Sequence, residues 1–146
     1  MSIETGHVGL NVTDLDRSNA FYTKLFGFDV LKESHEEGKR FAFLGKDQKI
    51  VLTLWQQGTK GFGKDASGLH HLSFQVGSID EVQKAVEKLK TLGAKVFYDG
   101  IVPHGEGAES GGVFFEDPDG IRLEIYAPTG ASQYKVPANA PSCGFF

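Results

Sequence analysis

The sequence predicts an α+β fold made of one strand–helix–strand–strand–strand unit used twice, and three observations carry that prediction. First, His7-Val8-Gly9-Leu10-Asn11-Val12 lies over His71-Leu72-Ser73-Phe74-Gln75-Val76 at an offset of 64 residues, with Leu15 over Ile79, Asp16 over Asp80 and Leu25 over Leu89. Second, at an offset of 71 residues Phe43 lies over Phe114, Ile50 over Ile121, Leu52 over Leu123 and Thr53 over Glu124. Third, hydrophobic periodicity switches from alternation to a helical stripe and back at matching places in both halves. An internal repeat outweighs any single motif as a sign of architecture. Each half has one apolar sheet face for its helix and one face left over. Two such leftover faces, set toward each other, enclose a cavity.

The first half opens on a strand. In His7 to Val12 the residues Val8, Leu10 and Val12 point one way, while His7, Gly9 and Asn11 point the other. Thr13-Asp14-Leu15-Asp16 then has helix-start chemistry, with an acidic first turn suited to the helix dipole. Leu15, Phe21, Tyr22, Leu25 and Phe26 form the helical stripe, and Gly27 is its stop. A short strand around Phe28 to Lys32 follows, then a polar loop or hairpin turn from Ser34 to Lys39 and a strand from Phe41 to Leu44. Gly45-Lys46-Asp47-Gln48 turns the chain into a strand over Ile50 to Trp55. There Ile50, Leu52 and Leu54 share one face, and Val51, Thr53 and Trp55 the other.

Gln57 to Gly68 is rich in glycine and lysine and reads as a linker. The pattern then restarts. Leu69 to Val76 alternates as a strand, and Ser78 with Glu81 three residues later forms a capping box. Ile79, Val82, Val86 and Leu89 make the stripe of a helix ending at Gly93. A short strand from Ala94 to Phe97 leads into a glycine-rich loop, Gly100 to Gly112, which carries His104. Val113 to Phe115 is a strand. Asp117-Pro118-Asp119-Gly120 is a tight turn, with Pro118 presetting the second position and glycine suiting the fourth. The turn feeds a last strand in which Ile121, Leu123 and Ile125 lie opposite Arg122, Glu124 and Tyr126. The expected organisation is a single domain over 1–146: module one at about 5–57, linker 58–68, module two at about 69–128 and an irregular tail at 129–146. The end of that tail, Cys143-Gly144-Phe145-Phe146, is apolar enough to dock.

Composition narrows the function classes. The chain has 146 residues, enough for a sizeable core, and its 40% hydrophobic and 23% charged content is that of an ordinary soluble protein. A net charge of −4 with no basic run argues against nucleic acid as a partner. No apolar run approaches the roughly 20 residues that span a bilayer, and no signal-peptide pattern opens the chain, so the expected location is the cytoplasm. The lone Cys143 excludes an internal disulfide and is expected to be an inert thiol. Twelve phenylalanines are many for this length; core packing explains most of them and leaves room for an aromatic-lined pocket.

Glu124 is the residue that asks for an explanation. It is a carboxylate in the middle of an otherwise hydrophobic strand, and such a group is costly unless paired, hydrogen-bonded or bound to a metal. Taken alone, it fits a salt bridge with a neighbouring base such as Arg122. Taken with the repeat, it fits more. His7 and His71 occupy equivalent places on the faces opposite the helix-packing residues, and Glu124 is on the cavity side of the last strand. If the halves pair about a pseudo-twofold axis, two imidazoles and one carboxylate meet, leaving open positions for a substrate on a divalent transition metal. Strand alternation points His70 away from His71, and His35 sits in a polar loop. His104, in the loop over the expected cavity mouth, is the acid/base candidate. Val51, Thr53, Trp55, Phe114 and Tyr126, with Phe43, are candidate pocket walls.

At this point the chain resembles the vicinal oxygen chelate superfamily, which includes glyoxalase I, extradiol ring-cleaving dioxygenases, fosfomycin resistance proteins and bleomycin-binding proteins. His7-Val8-x-Leu10-x-Val12, Ser18, Phe21-Tyr22 and Phe26-Gly27-Phe28 resemble its first-module signature. Asp117-Pro118-Asp119-Gly120 followed by Glu124 resembles its closing signature. The resemblance covers nearly all of residues 5–128. It implies paired βαβββ modules forming an open cup-shaped β-barrel, often in a homodimer, and bidentate chelation of adjacent substrate oxygens by a divalent metal.

Departures from the subfamily patterns sort the members. Glyoxalase I enzymes usually place a second glutamate where Thr53 stands. The set His7, His71 and Glu124 is similar instead to extradiol dioxygenases, which use Fe(II) or Mn(II), and to fosfomycin resistance enzymes. The dioxygenases usually add a histidine, near which His104 falls, and a tyrosine, where Phe114 stands; Tyr126 or Tyr98 would have to substitute. The basic phosphonate-binding residues of a fosfomycin enzyme are not evident after Glu124, and bleomycin-binding members lack the metal trio. The resemblance therefore implies a metal-dependent, dioxygenase-like oxidoreductase acting on a small, aromatic substrate. The alternatives are a glyoxalase-like isomerase or lyase with Zn(II) or Ni(II), and a non-catalytic drug- or metabolite-binding resistance protein.

Overall fold

The computed structural model describes residues 1–138, 140 and 145. The chain divides into two compact units, Met1–Phe62 and Gly63–Phe146. In the first, β1 (Val8–Asn11) is followed by α1 (Leu15–Phe26), β2 (Asp29–Ser34), β3 (Phe41–Lys46) and β4 (Lys49–Trp55). In the second, β5 (Leu72–Gln75) is followed by α2 (Ile79–Thr91), β6 (Val96–Pro103), β7 (Gly111–Glu116) and β8 (Arg122–Ala127). The sheets run β1-β4-β3-β2 and β5-β8-β7-β6. In each, the first strand pairs in parallel with the last and the remaining pairs are antiparallel. The expected α+β architecture of two strand–helix–strand–strand–strand modules is therefore present. Among the described residues, no helix is long and apolar enough to cross a membrane.

Local chemistry accounts for the elements. Asp14 caps α1 by accepting from Arg17 N, and Gly27 ends it in the left-handed region at φ 68°. Ser78 and Glu81 complete the capping box of α2 in both directions. Leu15, Tyr22 and Leu25 of α1 pack with Leu44, Leu52 and Leu54, each between 0 and 4% exposed. In the second unit Val82, Val86 and Leu89 do the same with Val113, Leu123 and Ile125. Burying one such side chain is worth about 1.5–3 kcal/mol, so each helix is held by its stripe rather than by its length.

Several boundaries move from expectation. β1 and β5 are shorter than the alternating runs His7 to Val12 and Leu69 to Val76: each has four ladder pairs at the edge of its sheet, and just beyond them Val12 N still donates to Trp55 O and Val76 N to Tyr126 O. β3 continues through Lys46, so the turn is Asp47-Gln48 alone, with φ of 50° and 64°. Those angles are what a two-residue hairpin turn needs. The loop expected over Gly100 to Gly112 is largely strand. β6 runs on to Pro103 and β7 starts at Gly111, so only 104–110 connect them. Gly100 reads as a breaker but serves a bulge: the β6–β7 register shifts between Phe97 and Val102, with Tyr98 and Asp99 both at φ 59°. In the tail, Cys143, Gly144 and Phe146 lie outside the described residues, and so does the inert thiol expected at Cys143. Phe145 is described and is buried, 3% exposed.

Candidate metal centre

The closing turn sets Glu124 in place. Gly120 N donates to Asp117 O at 3.0 Å, as a β-turn requires. Asp117 Oδ1 accepts from Asp119 N at 2.8 Å and from Ile121 N at 2.9 Å. The chain leaves this turn directly into β8. From there alternation sends Leu123, Ile125 and Ala127 toward the buried side, and Arg122, Glu124 and Tyr126 to the other face.

Ladder register then builds a row on that face. Ser73 pairs with Glu124, Glu124 with Phe114, and Phe114 with Phe97. Partners directly opposite share a face, so β5, β8, β7 and β6 each contribute one side chain. The equivalent row of the first sheet is Gly9, Thr53, Phe43 and Lys32. Thr53 thus holds the place of Glu124, as the repeat predicts.

Glu124 is 6% exposed, and both carboxylate oxygens are engaged. Ser73 Oγ donates to Oε1 at 2.7 Å. His104 Nε2 stands 2.6 Å from Oε2. Because a carboxylate oxygen accepts, Nε2 carries the proton of that bond, and in the neutral ring Nδ1 accepts from Ser110 Oγ at 2.8 Å. Ser110, His104, Glu124 and Ser73 form one hydrogen-bonded chain. The ion pair weighed between Glu124 and Arg122 gives way to this arrangement. Arg122 Nε donates to His70 O at 2.9 Å.

His71 immediately precedes β5, near enough to Glu124, His70 and Arg122 for each to act on its charge. Burial lowers its pKa, with His70 and Arg122 adding to the effect and Glu124 opposing it. The neutral ring is the form a metal ligand needs. His70 does not turn away from His71. Both precede the first ladder pair of β5, and their Nδ1 atoms lie 2.8 Å apart, one donating and one accepting. Alternation governs a strand, and these residues lie outside it.

Around this centre, the Tyr126 ring stands 5.3 Å from His104 and its hydroxyl donates to Gln75 Oε1 at 2.8 Å. Phe114 is 1% exposed, with its ring 6.4 Å from His104. Phe145 arrives from the tail and lies 5.5 Å from the His71 ring. The second unit therefore brings together His71, His104, Glu124, Phe114 and Tyr126.

The other expected residues belong to the first unit. His7 is exposed, immediately before β1. Val51 and Trp55 on β4 are half-buried. Thr53 is 2% exposed, and its hydroxyl accepts from Trp55 Nε1 at 2.9 Å. A Cβ at Gly9 would stand 3.1 Å from Thr53 Oγ1 and 3.6 Å from Trp55 Nε1, so the glycine is what lets the indole lie over the threonine. Trp55, rather than Thr53, is the accessible surface there. Among the described residues no group of three His, Cys, Asp or Glu side chains stands close enough to hold a metal ion by itself. The donor chemistry of the second unit still fits one: a buried carboxylate in mid-sheet near an imidazole whose burial favours the neutral form.

Residues missed from the sequence are Ser73, Ser110, Phe97 and Phe145. Ser73 carried a signal, because it lies over Gly9 in the repeat just as Glu124 lies over Thr53. Ser110 carries none, and Phe145 carries only the apolar character of the tail's end, which predicts docking but not the place.

A family model described as Glyoxalase/Bleomycin resistance protein/Dioxygenase superfamily matches residues 5–125. A probable chloroplastic lactoylglutathione lyase of Arabidopsis thaliana is 34% identical over 132 residues, covering 82% of this chain and 34% of that protein. A catechol-2,3-dioxygenase of Bacillus subtilis is 28% identical over 125 residues, covering 84% of this chain and 40% of that protein. The chain thus spans well under half the length of either relative. Among solved structures, a glyoxylase/bleomycin resistance protein/dioxygenase domain from Frankia superposes with a TM-score of 0.74 at 28% identity, over 87% of this chain and 93% of that one. A mutant of the fosfomycin resistance protein FosX of Listeria monocytogenes, complexed with Mn(II) and 1S,2S-dihydroxypropylphosphonic acid, has a TM-score of 0.67 at 21% identity. That match covers 91% of this chain and 98% of FosX, and it bears on the fold alone.

Proposed function

The chain belongs to the Glyoxalase/Bleomycin resistance protein/Dioxygenase superfamily, and from that premise we propose that it is a divalent-metal-dependent, dioxygenase-like enzyme for a small aromatic molecule with oxygens on adjacent carbons. The observation that carries the reading is Glu124, a nearly enclosed carboxylate on an interior strand with both oxygens engaged by polar partners. A structural role alone would be filled at lower cost by an apolar side chain.

The proposed ligands are His71, Glu124 and His7, with Fe(II) or Mn(II) favoured. His7 enters through its matching place in the repeat, supplied by the same chain or by a second copy in a homodimer. When bound, such a metal supplies a Lewis acid with open positions for a chelating substrate. The chain's own residues do the rest. Ser73 holds one carboxylate oxygen and so sets the carboxylate plane. His104 is proposed as the group that takes or returns a substrate proton: its ring is held between Glu124 Oε2 and Ser110 Oγ, and Nε2 would be free for that exchange with the carboxylate turned to a metal and the ring proton on Nδ1, donated to Ser110. Phe114 and Tyr126 wall the site on the second sheet, and Val51, Thr53 and Trp55 are proposed as walls from the first.

A second reading is a glyoxalase-like lyase using Zn(II) or Ni(II). The 34% identity to a probable lactoylglutathione lyase favours it. Against it, Thr53 is not a carboxylate, and its hydroxyl is already engaged by Trp55. The deciding experiment is the metal content of protein purified without chelators, beside Glu124→Ala. About one Fe or Mn per chain, lost in the variant, with oxygen uptake on catechols, supports the dioxygenase reading. Zn or Ni with turnover of lactoylglutathione supports the lyase. Ligand binding that needs no metal, with no turnover, would replace both by sequestration.

A further inference from the structure

The face that carries Glu124 is not empty of hydrophobic contact. Phe145 lies on it, and its neighbours make an enclosed ring-shaped slot. The Phe114 and Phe97 rings meet it edge to face, with centroids at 5.2 and 5.4 Å and interplanar angles of 89° and 86°. His71 flanks it at 5.5 Å, and the Arg122 guanidinium carbon lies 5.4 Å from its centroid. These are the preferred geometries for an aromatic ring among aromatic edges and beside a cation. Val102 completes the buried cluster.

Two features separate this contact from ordinary core packing. The apolar core of the second unit lies on the α2 side of the sheet, where Leu123 and Ile125 point. Phe145 covers the opposite side, against two residues of the Ser73–Glu124–Phe114–Phe97 row and next to the proposed ligand His71. Among the described residues, the tail's backbone bonds are Ala131 N to Glu109 O, Tyr134 N to Ala131 O and Ala140 N to Pro137 O, of which the last two are local to the tail. A cleft of about 690 Å³, lined by Glu106, Tyr134, Lys135 and Ala140 among others, lies along that segment.

We propose that His71, Phe97, Phe114 and Arg122 form a subsite for a single aromatic ring beside Glu124, and that Phe145 is its intramolecular occupant, so that the tail competes with ring-bearing ligands. The subsite deepens the functional reading above and rests on it only for its link to catalysis. The slot fits a planar six-membered ring. The cation at Arg122 favours a phenol or an electron-rich ring over a saturated one. Occupancy by Phe145 weakens a ligand's apparent affinity by the fraction of molecules whose slot is open.

The test uses metal-free protein, so that ring binding is read apart from metal binding. The probe is 3-fluorophenol, followed by fluorine NMR. Phe145→Ala is expected to bind it about tenfold or more tightly than the wild type, as for a slot filled about nine-tenths of the time. Adding Phe97→Ala should remove the gain. Equal affinity in wild type and Phe145→Ala, or a gain that survives the Phe97 change, overturns the proposal. A second measurement does not depend on the variants folding: with 4-fluorophenylalanine at position 145, unlabelled phenol should move its resonance toward that of a solvated ring. A resonance unmoved at saturating phenol overturns the proposal equally. Metal titration of the same proteins separates the two readings. Metal bound normally with no ring gain defeats the subsite alone. A ring gain with no metal binding defeats the metal centre alone.

Discussion

Ser73 and Glu124 stand opposite each other on the parallel β5–β8 ladder, and the serine hydroxyl donates to the carboxylate at 2.7 Å. Register makes this bond. A slip of one residue would put Leu72 or Phe74 beside Glu124 and reverse the faces of the whole strand. Hydrogen bonds to charged groups are worth about 1.5–3 kcal/mol, so Ser73→Ala should lower the urea midpoint by that much stability with an unchanged m-value. Metal should still bind, but about 10–100-fold more weakly, as when a group that orients a ligand is lost. Calorimetric metal titration checks the second part. An unaltered affinity would mean that Ser73 only satisfies a buried polar atom.

Removing a ligand should act on metal binding before it acts on the fold. His71→Ala and Glu124→Ala are expected to lose stoichiometric metal while keeping the far-ultraviolet circular dichroism of the parent. His70→Ala should retain metal, because its Nδ1 faces His71 rather than Glu124. Metal analysis of the three purified variants decides the matter. Full occupancy in all three would remove these residues from the site.

His104 is predicted to separate binding from turnover. His104→Gln keeps a donor for Glu124 but cannot exchange a proton near neutral pH. Metal stoichiometry should stay at the parental level while kcat falls by about 10²–10⁴-fold, the usual contribution of a positioned acid or base. Steady-state kinetics beside metal analysis reads both. A kcat within a few-fold of the parent would return His104 to a purely structural role.

His71 sets a pH dependence whose sign follows from burial. In metal-free protein its ring should titrate below 6.5, the ordinary histidine value. Between 6.5 and that lowered value the unfolded chain holds a proton that the folded chain does not. Stability from this group is therefore full above the ordinary pKa and falls as pH drops through the window, until both states are protonated. Proton NMR of the imidazole gives the titration. Urea unfolding at several pH values, with His71→Asn alongside, gives the linkage. The variant should lose that part of the pH slope, and a slope identical in both proteins would contradict the assignment.

Much of the fold was legible because its signals are local and occur twice. Alternation, the Ser78–Glu81 box, the Gly27 stop and the Asp117–Gly120 turn each depend on neighbours within a few residues, and the repeat fixed their order. What misled was glycine in β6: Gly100 marks a bulge inside a strand, and composition alone does not distinguish a bulge from a loop. The site was legible where the repeat reached it. The offsets lay Gly9 over Ser73 and Thr53 over Glu124, and the ladders pair Gly9 with Thr53 in one sheet and Ser73 with Glu124 in the other. The partners of Glu124 were less so. His104 was recognised as a candidate, but its bond to Oε2 joins residues 20 apart in sequence through the bulged β6–β7 hairpin. Arg122, the ion-pair alternative for Glu124 taken alone, donates to a carbonyl 52 residues away in sequence. Phe145 comes through a tail with no periodicity.

The indole of Trp55, lying over Thr53 and beside the rings of Phe41 and Phe43, has a spectroscopic consequence. It is the chain's one tryptophan, and it belongs to the first module. Its emission is a built-in reporter of that module's sheet, while circular dichroism sums both halves. Unfolding followed at both signals therefore measures whether the duplicated modules melt as one cooperative unit or as two.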